Sequence, residues 1–249
     1  MSSPELRQRL ARRLAWQAEV NDPVRQPRNR LPTLAPLRAW QTRRLTEGFA
    51  DFLDHPRMRP AAEFFLTDLY GERDFSARDR DVARIMPLMS RLLPEALLVA
   101  AADAIELAVL SHAFDLKMAA ALARRPKPRA PITLADYGDA YRETGCPRLR
   151  AHQIDLILGV GRILDAAVKK HGVFRLLRAS RLPARAAGLG ELQGFLERGF
   201  AAFAELGDAD AFLEAIGERE RQASARLFAG HPDPFAGASG VAAPAKRRR

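Results

Sequence analysis

Cysteine is all but missing from this 249-residue chain. Cys146 stands alone, so no disulfide forms within the chain, and a reducing, cytoplasmic setting is expected. Tyrosine and tryptophan number only 3 and 2, and β-branched residues do not cluster, which argues against sheet. No apolar run is long enough to cross a bilayer. The greasiest, Leu97 to Leu110, is interrupted by Asp103 and Glu106. The N-terminus carries Glu5 and scattered charge in place of the apolar centre of an export signal. Lysine is rare as well, 5 against 35 arginines, a skew that reads as codon bias before it reads as chemistry.

What remains is rich in Ala, Leu, Arg and Glu, the strong helix formers. Apolar content of 47% and charged content of 28% are ordinary globular values. The net charge of +10 sits mostly at the ends. Residues 1–30 hold seven Arg against three acids, and residues 231–249 hold four basic groups against one acid. The 200 residues between them carry 29 basic and 26 acidic groups, close to balance. A basic end such as Lys246-Arg247-Arg248-Arg249 holds an anionic surface or nucleic acid, or is merely solvated.

Periodicity then divides the chain. Leu6, Leu10 and Leu14 recur every four residues, marking a short amphipathic helix. Four prolines between Asn21 and Pro36 read as a linker. A helix is expected from Leu37 to about His55, and another from Pro60 through Phe64-Phe65-Leu66, with Gly71 as its left-handed cap. Three bulky apolar residues in succession turn through about 200° of helix circumference, so this segment must be walled in on several sides. Ser76 and Asp79 resemble a capping box, and Pro87 should kink the helix they open. Pro94 starts a long helix to about Arg124, apolar on several faces and hence central. Thr133 and Asp136 cap a short helix, Gly145-Cys146-Pro147 makes a turn, and a helix through Ile154 and Leu164 stops at Gly172. Two more helices, about 188–206 and 208–229, follow. The expected fold is all-α, an irregular bundle of about eight helices. Residues 1–36 form a basic N-terminal helix and linker, 37–230 one helical domain, and 231–249 a disordered basic tail.

The residues Phe64-Phe65-Leu66, Leu69-Tyr70-Gly71, Asp74-Phe75 and Arg78-Asp79, with Trp40-Gln41 and Arg44-Leu45 upstream, carry a resemblance. They are similar to an uncharacterised bacterial family named for its Phe-Phe-Leu-Glu-Glu-Leu-Tyr motif. Leu182-Pro183-Ala184-Arg185 and the run from Phe195 to Phe200 extend the likeness, which spans roughly residues 37–229. Thr67 and Asp68 stand where the name motif has two Glu. The resemblance implies a helical domain of unknown function, with no active site to transfer.

Candidate chemistry is sparse. Phe64, Phe65, Leu66, Leu69 and Tyr70 line a ligand pocket or form core, and core is the plainer reading. Asp74, Arg78, Asp81 and Arg84 have spacings that suit a structural ion-pair network. His112 with Asp115, and His152 with Asp155, are two His-x-x-Asp pairs on separate helices. Bundle metal sites use the reverse order, with Glu, so a hydrogen-bonded histidine is favoured over a ligand and no cofactor is expected. Asp103 lies on the far side of its helix from His112. Cys146 precedes a helix start with Arg148 and Arg150 nearby, which suits a reactive thiol, yet no base accompanies it. The strongest candidate is electrostatic. Lys169, Lys170, Arg175, Arg178, Arg181 and Arg185 occur without an intervening acid, and Val173, Phe174, Leu176 and Leu177 supply an apolar side.

These features point to a non-catalytic binding or interaction module for an unknown protein or anionic ligand, an anionic membrane surface included. A metal-dependent enzyme built on the His/Asp pairs is the alternative. Nucleic-acid binding through the basic termini ranks third, because neither a helix-turn-helix nor interleaved aromatics accompany the charge.

Overall fold

The computed structural model describes residues 3–69, 95–128, 130–170, 172, 175, 178–179, 181–186, 190–207 and 209–237. All regular structure among them is helical: α1 Ser3–Asn21, α2 Leu34–Gly48, α3 Ala50–Asp54, α4 Arg59–Phe64, α5 Glu95–Ala123, α6 Leu134–Thr144, α7 Pro147–Val168, α8 Arg181–Ala186, α9 Gly190–Leu206 and α10 Ala209–Phe228. The fold is an all-α multi-helix bundle, as the composition requires. No helix among the described residues is long and apolar enough to cross a membrane.

Helix α5 packs against α1, α2, α6 and α7, and its apolar residues on several faces are what allow that. Two large core clusters form around it, with a small third one of Leu110 and Phe114 against Leu156 of α7. The first joins Leu10 of α1, Leu34 and Leu37 of α2, Ile105, Val109 and Leu116 of α5, Tyr137 and Tyr141 of α6, and Leu227 of α10. The second joins Leu45, Phe49 and Phe52 with Ile154, Ile157 and Leu158 of α7, Phe203 and Leu206 of α9, and Phe212, Leu213 and Ile216 of α10. Close helix approach depends on glycine at Gly161, where an added Cβ would lie 2.4 Å from Leu213.

Local signals place the helix ends where the chain offers a cap. Thr133 accepts from the Asp136 backbone while Asp136 accepts from the Thr133 backbone, a complete capping box. Pro147 occupies the first helical position of α7, after Gly145 and Cys146 with φ of 64° and 62°.

Three expectations need correction. The helix expected from Leu37 to His55 is broken at Phe49 (φ −121°), which drops its ring into the core between α2 and α3. The proline-rich linker is tied down: Asn29 Nδ2 donates to the carbonyls of Val20 and Gln26, and Thr33 Oγ1 donates to the carbonyl of Ala119 at 2.7 Å. At the other end, residues 231–237 are expected within a disordered tail, but Pro234 is buried and Phe235 packs on the first cluster. Apolar side chains amid Gly and Ala supply the anchor. The remainder, 238–249 with Lys246 to Arg249, lies outside the described residues, as do Tyr70, Gly71, Asp74, Phe75, Ser76, Arg78, Asp79, Asp81, Arg84 and Pro87.

The aromatic motif departs from a plain α-helix. Phe64 ends α4, and Phe65–Leu69 continue as a π-helical turn. Thr67 Oγ1 bonds back to the carbonyl of Glu63 at 2.9 Å, a contact that competes with the regular ladder. Phe64 is buried against Phe195 (5.3 Å between centroids) and against the bare Cα of Gly199, where a Cβ would lie 2.8 Å from its ring. Phe65 and Leu66 are half-buried, and Phe65 meets Phe203 and Phe212.

Phe64→Ala should therefore destabilise by about 3–5 kcal/mol in chemical denaturation, and Phe65→Ala by less. Gly199→Ala should destabilise in the wild-type background and do so less in Phe64→Ala, because the ring it strikes is gone.

Candidate functional site

The basic segment begins where α7 runs out. Lys169 turns back to Asp165, 2.6 Å away, and Lys170 is exposed. Gly172 (φ 101°) supplies a backbone conformation that other residues rarely adopt. Arg175 and Arg178 are exposed. Pro183 falls in the first turn of α8, where its missing N–H costs nothing. Arg181 Nε donates to Glu197 Oε1 on α9 at 2.6 Å, and Gln193 Nε2 donates to the same oxygen at 2.9 Å. The Arg181 bond first, and Gln193 second, hold the Glu197 carboxyl down to about 2. Arg185 is exposed beside them. One cation of the row thus tethers α8 to α9, and Arg178 and Arg185 face outward with Leu182, which is 77% exposed. The side chains of Val173, Phe174, Leu176 and Leu177 lie outside the described residues.

Asp68 gives the aromatic motif a polar anchor. Its carboxylate is buried, and Oδ1 accepts from Arg198 Nε at 2.9 Å and Nη2 at 2.6 Å. Oδ2 lies 3.0 Å from Thr67 Oγ1 and shares its one hydrogen with the Glu63 carbonyl. The two segments that carried the family resemblance therefore dock on each other, Phe64 on Gly199 and Asp68 on Arg198. A charged residue inside an apolar run was the only signal of this. Its partner lies 130 positions away.

The two His/Asp pairs do not come together as a ligand set. His152 Nε2 meets Glu106 Oε1 at 2.8 Å, and Asp155 pairs with Arg221 at 2.7 Å. Among the described residues no three His, Cys, Asp or Glu side chains gather to hold a metal ion. Asp103 faces α1 instead, bonded by Arg9 and Arg13. His112 is fixed from both sides: Arg38 Nη2 lies 2.7 Å from Nδ1, and Asn29 Oδ1 lies 2.8 Å from Nε2. A guanidinium only donates, so Nδ1 is the acceptor and Nε2 carries the hydrogen. Asn29 fits, since its own amide nitrogen already serves two carbonyls. Burial, then the Arg38 charge, hold the His112 pKa down to about 4. Asp115 accepts from Arg38 Nε at 3.3 Å and Gln41 Nε2 at 3.2 Å, and burial raises its pKa against both.

Arg150 turns inward, away from any role beside Cys146. Its guanidinium lies 3.7 Å from the Phe114 centroid and 4.4 Å from that of Tyr141, with Met118 Sδ at 3.2 Å. Cys146 is half-buried against the cluster of Leu110, Phe114 and Leu156. An open cleft of about 690 Å³ between α7 and α10 is lined by Asp155, Arg162, Glu214, Glu218 and Arg221 over Leu158 and Ala215. Its charges are of both signs and converge on no point.

The His112 geometry sets a pH dependence. In the unfolded chain the imidazole protonates near 6.5, but in the fold it resists until about 4. Its contribution is therefore full above pH 6.5 and declines as pH falls through about 4, by about 3 kcal/mol in all. Asp115, raised by burial, works in the opposite sense at the acid end of that range. Stability curves from pH 7 to 4 should slope downward in the wild type and flatten in His112→Gln, with Asp115 common to both.

Among protein families, the model described as Domain of unknown function (DUF8198) matches residues 21–234. No curated protein and no solved structure matches the chain. The matched span runs from the last residue of α1 to the buried Pro234, so α2 to α10, the aromatic motif and the basic segment fall within it, while the rest of α1 does not. The chain belongs to this family of domains of unknown function.

Proposed function

We propose that the protein is a non-catalytic interaction module that presents its basic segment, Lys169 to Arg185, to an anionic partner. The observation that carries this reading is the division of labour among the six cations. Lys169 and Arg181 are committed to Asp165 and Glu197, while Lys170, Arg175, Arg178 and Arg185 are exposed. The committed pair holds the segment on α7 and α9. The exposed set is then offered from a surface tied to the bundle. Arginine suits planar, bidentate recognition of carboxylate or phosphate. The resemblance to the family named for the Phe-Phe-Leu-Glu-Glu-Leu-Tyr motif is compatible with this reading and adds no activity to it.

Binding to a polyanion or to vesicles containing anionic lipid should weaken steeply from low to moderate salt, since the Debye length is only about 10 Å at 0.1 M. Replacing Arg175, Arg178 and Arg185 with Gln should lower affinity about tenfold or more, while circular dichroism stays unchanged. The control is replacement of Lys246, Arg247, Arg248 and Arg249 with Ala, which leaves the packed residues 231–237 in place. If that control abolishes binding and the Gln variant does not, the segment has no such role.

A further inference from the structure

After α10 the chain reverses at Gly230, whose φ of 70° is open mainly to glycine. Residues 231–237 then cross back over the bundle. Pro234 is buried and Phe235 half-buried, whereas 231–233 and 236–237 are exposed. The Phe235 ring lies 6.2 Å from that of Trp40 on α2 and 6.4 Å from that of Tyr137 on α6, and the Arg44 guanidinium sits 4.7 Å from its centroid. Arg226 donates to the carbonyl of Ala236. Pro234 and Phe235, with the Arg226 bond to Ala236, thus anchor the strap.

The seat is held by contacts that do not involve its occupant. Trp40 stacks on Tyr137 at 4.0 Å and 20°, and Tyr137 is 3% exposed. Arg44 is gripped by both carboxylate oxygens of Glu220, at 2.5 and 3.0 Å. Removing the strap would leave an aromatic wall and an oriented guanidinium in place. Preorganisation of this kind is what makes a small surface able to bind. Aromatic grooves commonly take proline-bearing extended segments, which lose little entropy on docking.

We propose that this seat is a docking site for an extended peptide segment of another protein in which an aromatic residue directly follows a proline, and that Pro234-Phe235 fills it in cis. The tether gives the strap an effective concentration of about millimolar. A partner segment therefore binds the wild-type chain with an affinity reduced by the fraction of time the seat is open. The site stands apart from the basic segment and does not depend on its role.

The test uses the full chain in a Trp16→Phe background, which leaves Trp40 as the sole tryptophan, and a capped synthetic peptide of residues 230–237 as the probe. With Phe235→Ala added, titration should give a saturable change in Trp40 fluorescence. The parent chain should bind at least about tenfold more weakly, by the same competition. A peptide with Ala in place of its Phe should give no saturation. Arg226→Gln, which removes the bond to the Ala236 carbonyl and leaves Trp40, Tyr137 and Arg44 unsubstituted, should fall between the two proteins. Equal binding by the parent and the loosened variants, or by the Ala peptide, overturns the proposal. So does an absence of binding to a natively folded Phe235→Ala chain. Should that chain fail to fold, no gain in Arg226→Gln overturns it equally.

Discussion

Enclosure of α5 is the constraint on which the rest of the bundle depends. A helix covered by α1, α2, α6 and α7 leaves little solvent for most of the polar side chains it carries, Lys117 being exposed, and the partly buried ones are met from a neighbour. Asp103 and Glu106 are met by Arg9 and Arg13 of α1 and by His152 of α7. Ser111 takes Gln153 of α7. His112 and Asp115 share Arg38 of α2 and are completed by Asn29 and Gln41. These contacts fix the register of the surrounding helices on α5, which apolar packing alone would define less sharply.

Elements whose signals are local were readable in the chain before any coordinates. The capping box at Thr133, Pro147 at a helix start, and the many-sided apolar surface of α5 all act within one or two turns of themselves. Features that depend on distant partners were not. Nothing near Asp68 announces Arg198, which lies 130 positions away. Asn29 looked like one more polar residue in a proline-rich stretch until His112 lay against it. Arg150 follows Cys146 in sequence, so it read as a modulator of the thiol. In space its helix rotates it onto Phe114 and Tyr141. Phe235 was overlooked because the Gly and Ala around it spoke for disorder, and one ring with a proline before it was enough to prevent that over 231–237.

The candidate surfaces inherit their character from this division. The row of cations was legible because charge of one sign over seventeen residues is visible without a fold. Its internal sorting was not, since Glu197 and Asp165 belong to α9 and α7. The aromatic motif, conversely, lies inside the span matched by the family model and serves packing. Its rings and the Asp68 carboxylate dock α4 and the π turn on α9, with Phe65 reaching Phe212 of α10 as well.

Helices α2 and α10 each serve both cores. Leu34 and Leu37 enter the first and Leu45 the second, while Leu227 enters the first and Phe212 to Ile216 the second. Neither half can loosen without dragging an end of each shared helix with it, so the two clusters lose independence as foldons. Amide hydrogens along the middle of α2 and α10 accordingly exchange with solvent only through opening of the whole bundle. Those of α1, which feeds one cluster, are released by smaller excursions.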